Sequence, residues 1–334
     1  MKKVNNRIIK GVLCLVTLST MLIGQNNILT KGYAQDTYSE VAGESHTGSF
    51  SVDSLTLQPG ATTTSINLNW YAPAGTTVAK IQFGDQTYDV TAKPLTSPTE
   101  IKSDKYTDTG KLVCKTTISN LKPDTKYTYY ISNDGGTTWS KEYNYTTPSS
   151  NEFTFGFTSD PQIKENKEIN SEGWNPSDET NQTGWATMME TLEKQGVDLV
   201  VSAGDQVEDQ NWGKSSEYEA FFAPEEMTSI PYAPAVGNHD RHYMFADHFN
   251  LPNQMESLTE VKTTFRGQNS GTSQSHGNYI QATENEIKNN AASNGVTPNS
   301  DGQYDFSERR DMETQGNYYY LYNNVLFVTL NTSA

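Results

Sequence analysis

Cysteine, histidine and positive charge are all scarce in this chain. Its 334 residues hold 2 Cys and 5 His, and 24 Lys and Arg face 40 Asp and Glu, for a net charge of −16. Phosphate backbones select for Lys and Arg, so a nucleic-acid scaffold binder is excluded. A polybasic membrane anchor is excluded on the same ground. The cysteines are Cys14 and Cys114. Cys14 lies in an N-terminal segment read below as cleaved, which leaves one thiol and rules out a disulfide framework and a Cys-based zinc site. No G-x-S-x-G occurs, which removes the nucleophile elbow, and no G-x-x-x-x-G-K-[ST], which removes the P-loop. The apolar run over residues 12–23 is shorter than the roughly 20 residues a membrane-spanning helix needs.

The first 34 residues instead have the architecture of a secretory signal. Lys2, Lys3, Arg7 and Lys10 precede that apolar run, and Gly32-Tyr33-Ala34 offers small residues for cleavage. Cys14 sits at the start of the run with Gly11 before it, which does not suit a lipoprotein signal. The expectation is an exported, secreted or cell-surface protein with no membrane span after cleavage.

What is present is polar but not disordered. Charged residues make up only 19%, with Thr, Ser, Asn and Gln in their place, while 34% hydrophobic residues and 19 Tyr supply a core. The length suggests two domains. After a polar leader over residues 35–49, short strands are expected at 65–71, 80–83, 112–119, 126–132 and 143–147. Ile66, Leu68 and Trp70 alternate there, the period of a half-buried strand. The spacing and the Gly, Pro, Asn and Asp between runs indicate a β-sandwich of about 100 residues. Leu121-Lys122-Pro123-Asp124-Thr125-Lys126-Tyr127 leads into one of these strands as L-x-P-x-T-x-Y, the setting of a tyrosine corner. Trp139 is read as a packed strand residue and Cys114 as a small buried hydrophobe.

Thr147-Pro148-Ser149-Ser150 reads as a linker, and the pattern changes beyond it. Residues 153–159 (FTFGFTS) and 197–203 (VDLVVSA) are β-rich. Between them Trp185, Met188, Met189 and Leu192 fall on one helical face, closed by Gly196. Strand, helix, strand in this order is a βαβ unit with parallel strands. A second helix near 215–222 and a short strand near 232–236 follow, the latter bounded by Pro231 and Pro234. Residues 252–315 form a long polar insertion. Residues 317–322 and 325–330 flank Asn323-Asn324 as a hairpin.

Three polar clusters stand where these strands end. They are Asp160-Pro161-Gln162, Gly204-Asp205-Gln206-Val207-Glu208-Asp209 and Gly237-Asn238-His239-Asp240. Ligands of open α/β sheets bind outside the carboxyl ends of the strands, so their order and position point to one site.

The series D-x-H/Q, G-D-x-x-(D/Y), G-N-H-(D/E) resembles the calcineurin-like metallophosphoesterase superfamily. The sandwich resembles a fibronectin type III module and, more narrowly, the N-terminal domain of purple acid phosphatases, whose G-G-x-x-W-S ending recurs as Gly135-Gly136-Thr137-Thr138-Trp139-Ser140. The resemblance implies a fibronectin-like domain over 50–148 followed by an incomplete α/β metallophosphoesterase domain over 152–334. It implies a hydrolase of phosphate esters, an acid phosphatase-like enzyme acting most simply on phosphomonoesters. It also implies two metal ions, of Mn, Fe or Zn, and a metal-bound hydroxide as nucleophile. Asp205 would bridge the metals, Asp160 and Gln162 would serve the first, and Asn238 the second. His239 would stabilise the phosphoryl group or protonate the leaving alcohol.

The chain departs from the pattern at Gln162, where His is common, and at Glu208, where purple enzymes carry Tyr. Glu208 is therefore an additional candidate ligand or a solvated carboxylate, and no purple colour is expected. A G-H-x-H motif is absent. The sequence reads as cut before later histidine ligands, with weak metal binding and little turnover expected of these 334 residues. His242 and His248 read as surface or core histidines, and His276 falls in the insertion. The competing reading is a catalytically dead surface or matrix binding protein on the same two domains.

Overall fold

The computed structural model describes residues 38–98, 106–164, 178–208, 215–240, 245–254, 266–267, 280–281 and 316–331. Residues 1–34, read above as a secretory signal, Asp209, His242, His276 and most of the expected polar insertion lie outside them.

The first half is the expected sandwich. Its strands are β1 (Ser39–Val41), β2 (Asp53–Pro59), β3 (Ser65–Pro73), β4 (Ala79–Phe83), β5 (Gln86–Val90), β6 (Ala92–Pro98), β7 (Tyr106–Ser119), β8 (Thr125–Ser132) and β9 (Tyr143–Thr146). One sheet runs β2-β3-β7-β6, and the other runs β1-β8-β4-β5 with β9 also on β8. Leu57, Ile66, Leu68, Trp70, Ile81, Cys114 and Ile131 meet between the sheets and are buried. Tyr127 makes the tyrosine corner, its hydroxyl accepting the Lys122 N–H at 2.8 Å.

Several strands go beyond the sequence reading. β1 arises inside the stretch read as a polar leader and pairs in parallel with β8. β6 contains Pro94 and Pro98 and pairs with β7 alone, and an edge is where a strand tolerates proline. Trp139 is not within a strand. It is half-buried and stacks on His46 at 4.3 Å between ring centroids.

The second half is α/β. Strands β10 (Phe155–Thr158), β11 (Leu199–Ser202) and β12 (Tyr232–Ala233) form a parallel sheet in chain order. β12 is shorter than expected because prolines bound it on both sides. Helix α1 (Asp178–Lys194) crosses between β10 and β11, and its Trp185 and Met189 are buried. The Trp185 indole N–H donates to the Phe221 carbonyl at 2.8 Å. Gly156 lets the helix approach the sheet, since a Cβ there would lie 2.9 Å from Leu192. Gly196 adopts a φ of 65°, and the Gly196 and Val197 N–H groups donate to the Glu193 and Leu192 carbonyls. That is a Schellman cap.

Helix α2 (Ser215–Phe221), a 3-10 turn (Glu225–Thr228) and helix α3 (Phe245–His248) complete this layer. A two-residue ladder joins β13 (Arg266–Gly267) and β14 (Ile280–Gln281). Strands β15 (Tyr318–Tyr322) and β16 (Val325–Thr329) form the expected hairpin, with Asn323 and Asn324 both at positive φ, as its two-residue turn requires.

The two halves are docked, not merely tethered. Tyr71, Leu95 and Val113 leave the sandwich to join Tyr218, Phe222 and Phe249 in one apolar cluster. Asn250 bonds across strands β2, β3 and β7 of the sandwich. Its side-chain amide donates to the Thr116 carbonyl at 2.7 Å, its N–H to Gln58 Oε1 at 3.1 Å, and its carbonyl accepts from Asn67 at 2.7 Å. Such bonds hold an orientation, which fixes the α/β domain's site relative to the sandwich.

Candidate functional site

The parallel order makes the ends of β10, β11 and β12 point the same way, so the three polar clusters share one edge. The ladder between β10 and β11 continues past the strands. Asp160 N–H donates to the Gly204 carbonyl, Gln162 N–H to Asp205 and Ile163 N–H to Gln206, each at 3.0 Å, and Glu208 N–H returns to Ile163 at 3.1 Å. The first two clusters are therefore zipped together.

Asp160, Gln162 and Asp205 adopt φ values of 55°, 45° and 56°. The left-handed region is unfavourable for residues with a Cβ, at about 1–3 kcal/mol each, and such strain gathers at functional sites. The third cluster closes in through glycines. A Cβ on Gly204 would lie 2.7 Å from the Gly237 Cα, and one on Gly237 would lie 2.0 Å from Asp205 Oδ1.

Asp205 is buried, and its Oδ1 accepts the His239 backbone N–H at 2.8 Å. His239 is buried as well, with Nδ1 2.6 Å from the Glu208 carbonyl. A carbonyl only accepts, so Nδ1 carries the proton and Nε2 is the basic nitrogen of the neutral ring. The Glu208 carboxylate lies 3.4 Å from Lys164 Nζ and 3.9 Å from His239 Nδ1. Lys164 was not singled out in the sequence, although it stands two residues after Gln162. Asp160 is exposed and accepts from the Ser159 hydroxyl, Asn238 is exposed, and the Gln162 side chain is half-buried.

Asp240, which the motif supplied without a role, is fully buried behind this edge. Burial, aided by the nearby Asp205 charge, pushes its carboxyl up to about 7. His248 is a core residue, as expected: it bonds the Tyr71 hydroxyl through Nδ1 and stacks on Tyr218 at 3.8 Å.

The donors suit a hard cation. Asp160 and Asp205 offer carboxylates and Gln162 and Asn238 offer amides, so the set is all oxygen, which favours Mg or Mn over Zn. Among the described residues no three His, Cys, Asp or Glu side chains gather into a metal cluster. These four side chains are the candidate donors that the three loops offer on this edge.

A β-sandwich docked on a parallel α/β domain, with acidic loops at three successive strand ends, defines a two-domain architecture. Sequence similarity supplies the family. Residues 153–324 match the family described as Calcineurin-like phosphoesterase, and residues 52–147 match the Purple acid Phosphatase, N-terminal domain. The chain belongs to the calcineurin-like phosphoesterase family, with a purple acid phosphatase-type N-terminal domain. Among solved structures it is similar to a purple acid phosphatase from yellow lupin (Lupinus luteus) seeds, at 21% identity and TM-score 0.43 over 57% of this chain and 35% of that one. A maltogenic amylase from S. marinus matches at 11% identity and TM-score 0.19 over 56% of this chain and 31% of that one. The chain thus spans about a third of the length of these two structures. No curated protein matches it in sequence. Among the described residues no helix is long and apolar enough to cross a membrane.

Proposed function

We propose that this chain carries the active-site edge of an exported, metal-dependent phosphoesterase acting on phosphomonoesters. The observation that carries the reading is the contact between motifs: the Asp205 carboxylate is held by the His239 N–H, and the His239 ring is held by the Glu208 carbonyl. A general acid and a cation ligand are thereby fixed side by side, which positioning catalysis requires. Asp205, Asp160 and Asn238, with Gln162 in support, would hold a hard divalent cation. Such a cation supplies charge for the phosphoryl oxygens and lowers the pKa of water it binds.

His239 does the proton work. As a water oxygen bonds to phosphorus and the P–O bond to the leaving group breaks, the electron pair stays on the departing oxygen, which takes the Nε2 proton of His239 in its imidazolium form, protonated beforehand from solvent. The Nδ1 bond to Glu208 keeps the ring turned for this transfer. With Lys164 beside it, Glu208 acts in this reading as a neighbour of His239 and not as a cation ligand. The signal architecture of residues 1–34 supports export, where the substrate is a soluble phosphate ester or a phosphorylated macromolecule.

The competing reading, a silent binding protein, draws on Gln162 and Glu208, where the family pattern carries His and Tyr, and on the long polar insertion. Hydrolysis of p-nitrophenyl phosphate by the native full-length protein with added Mn2+, compared with His239→Ala, separates the two. The phosphoesterase reading expects turnover that falls roughly 100-fold or more in the variant, in the range of lost general acid catalysis. Equal rates for both would refute it.

A further inference from the structure

We infer that Asp240 is a positioning residue: its carboxylate clasps the second and third loops into one unit and thereby sets how Asp205 and His239 are presented. The functional half of this inference rests on the phosphoesterase reading, and the structural half does not.

The bonds are reciprocal. Asp240 accepts the Gln206 N–H at 3.0 Å on Oδ1 and 3.2 Å on Oδ2, the Val207 N–H at 3.4 Å, and the Gly237 N–H at 3.0 Å. The Tyr218 hydroxyl lies at 3.5 Å. In the other direction, the third loop's His239 N–H donates to the second loop's Asp205 at 2.8 Å. Each loop's carboxylate is thus held by N–H groups of the other.

A turn-capping aspartate would need only the bond to Gly237 within its own loop. The bonds to Gln206 and Val207, more than thirty residues upstream, have no use in a turn. They bear directly on the site. The Gln206 N–H belongs to the peptide whose carbonyl, that of Asp205, accepts from Gln162. Anchoring that peptide from both sides holds Asp205 at its left-handed φ of 56°.

A carboxylate suits the position. It is an acceptor at both oxygens, whereas asparagine would turn an NH2 toward one of the donors. Several backbone N–H donors are also what makes a buried carboxylate tolerable.

Residue-resolved hydrogen exchange on the full chain, with Mn2+ titration of wild type, Asp240→Asn and Asp240→Ala, tests this. In the wild type, the Gln206, Val207, Gly237 and His239 amides are expected to exchange together as one slow group. In Asp240→Asn all four lose protection, including His239, which does not bond Asp240. Mn2+ affinity then falls about 10–100-fold, the usual effect of removing a partner of the ligands. Under steady-state turnover kcat falls more than KM, since the groups are present but misaligned.

A folded Asp240→Asn protein with His239 protection and Mn2+ affinity unchanged would overturn the inference. If neither variant folds, the wild-type exchange decides it, and separate rates for His239 and Gln206 overturn the clasp. A wild type that binds no Mn2+ and hydrolyses nothing defeats the phosphoesterase reading instead, while the exchange data still judge the clasp.

Discussion

Replacing Gly237 with alanine should break the site without unfolding the protein. The added Cβ would sit 2.0 Å from Asp205 Oδ1, 2.3 Å from Asp205 N and 2.7 Å from its Cγ. Backbone and a buried, bonded carboxylate surround it, so no flexible side-chain end can move aside. Overpacking of this kind costs about 1–3 kcal/mol. The forced separation also threatens the His239-to-Asp205 and Gly237-to-Asp240 bonds, and a hydrogen bond to a charged group contributes about 1.5–3 kcal/mol.

With one such bond lost, the total is about 2.5–6 kcal/mol against a typical folding stability of about 5–15 kcal/mol. The variant should remain folded, denature earlier in urea, and lose Mn2+ binding. Gly75→Ala is the control. Gly75 has a φ of 88°, and an added methyl there would meet no other atom, so strain of about 1–2 kcal/mol is its only cost and the site is untouched. A Gly237→Ala protein with wild-type denaturation and wild-type Mn2+ affinity would refute this reasoning, because the close approach of the two loops would then be unnecessary.

Further predictions follow from the rest of the molecule. Gly184 lies exposed within α1 with open space around it, so Gly184→Ala should stabilise the protein by about 1 kcal/mol, read as a raised urea midpoint. Burial raises the Asp198 carboxyl from 3.8 to about 6, despite the Thr154 N–H that it accepts. The folded state therefore holds this proton more tightly than the unfolded chain. Stability should fall as pH rises from about 4 to about 6, by at most about 3 kcal/mol, and Asp198→Asn should flatten that slope in denaturation series across pH. Burial pushes the Cys114 thiol up to about 12, so thiol reagents at pH 8 should label it only after unfolding.

Much of this organisation was legible because it is written in local periodicity. The alternation of Ile66, Leu68 and Trp70 and the stripe from Trp185 to Leu192 announce a strand and a helix whatever packs on them. The three motif clusters were legible through their place after apolar runs. What escaped depends on contacts distant in sequence. Ser39–Val41 has no apolar pattern and is a strand only because β8 offers an open edge. Gln58, Asn67 and Lys115 are polar residues of sandwich strands, with nothing near them in sequence to announce partners, yet Asn250 and Phe249 dock there and exchange hydrogen bonds with them. At the site, the left-handed backbone of Asp160, Gln162 and Asp205 has no signature in residue type, since only glycine advertises positive φ. Lys164 and Asp240 act through partners in other loops, which spacing alone cannot reveal.

The most direct measurement is phosphate release from a phosphomonoester by the native full-length protein, with and without Mn2+, alongside Asp205→Asn of verified fold. A site built from these three strand ends predicts hydrolysis that requires the cation and is lost when Asp205 becomes an amide. Cation-independent hydrolysis, or an Asp205→Asn protein as active as the wild type, would contradict it.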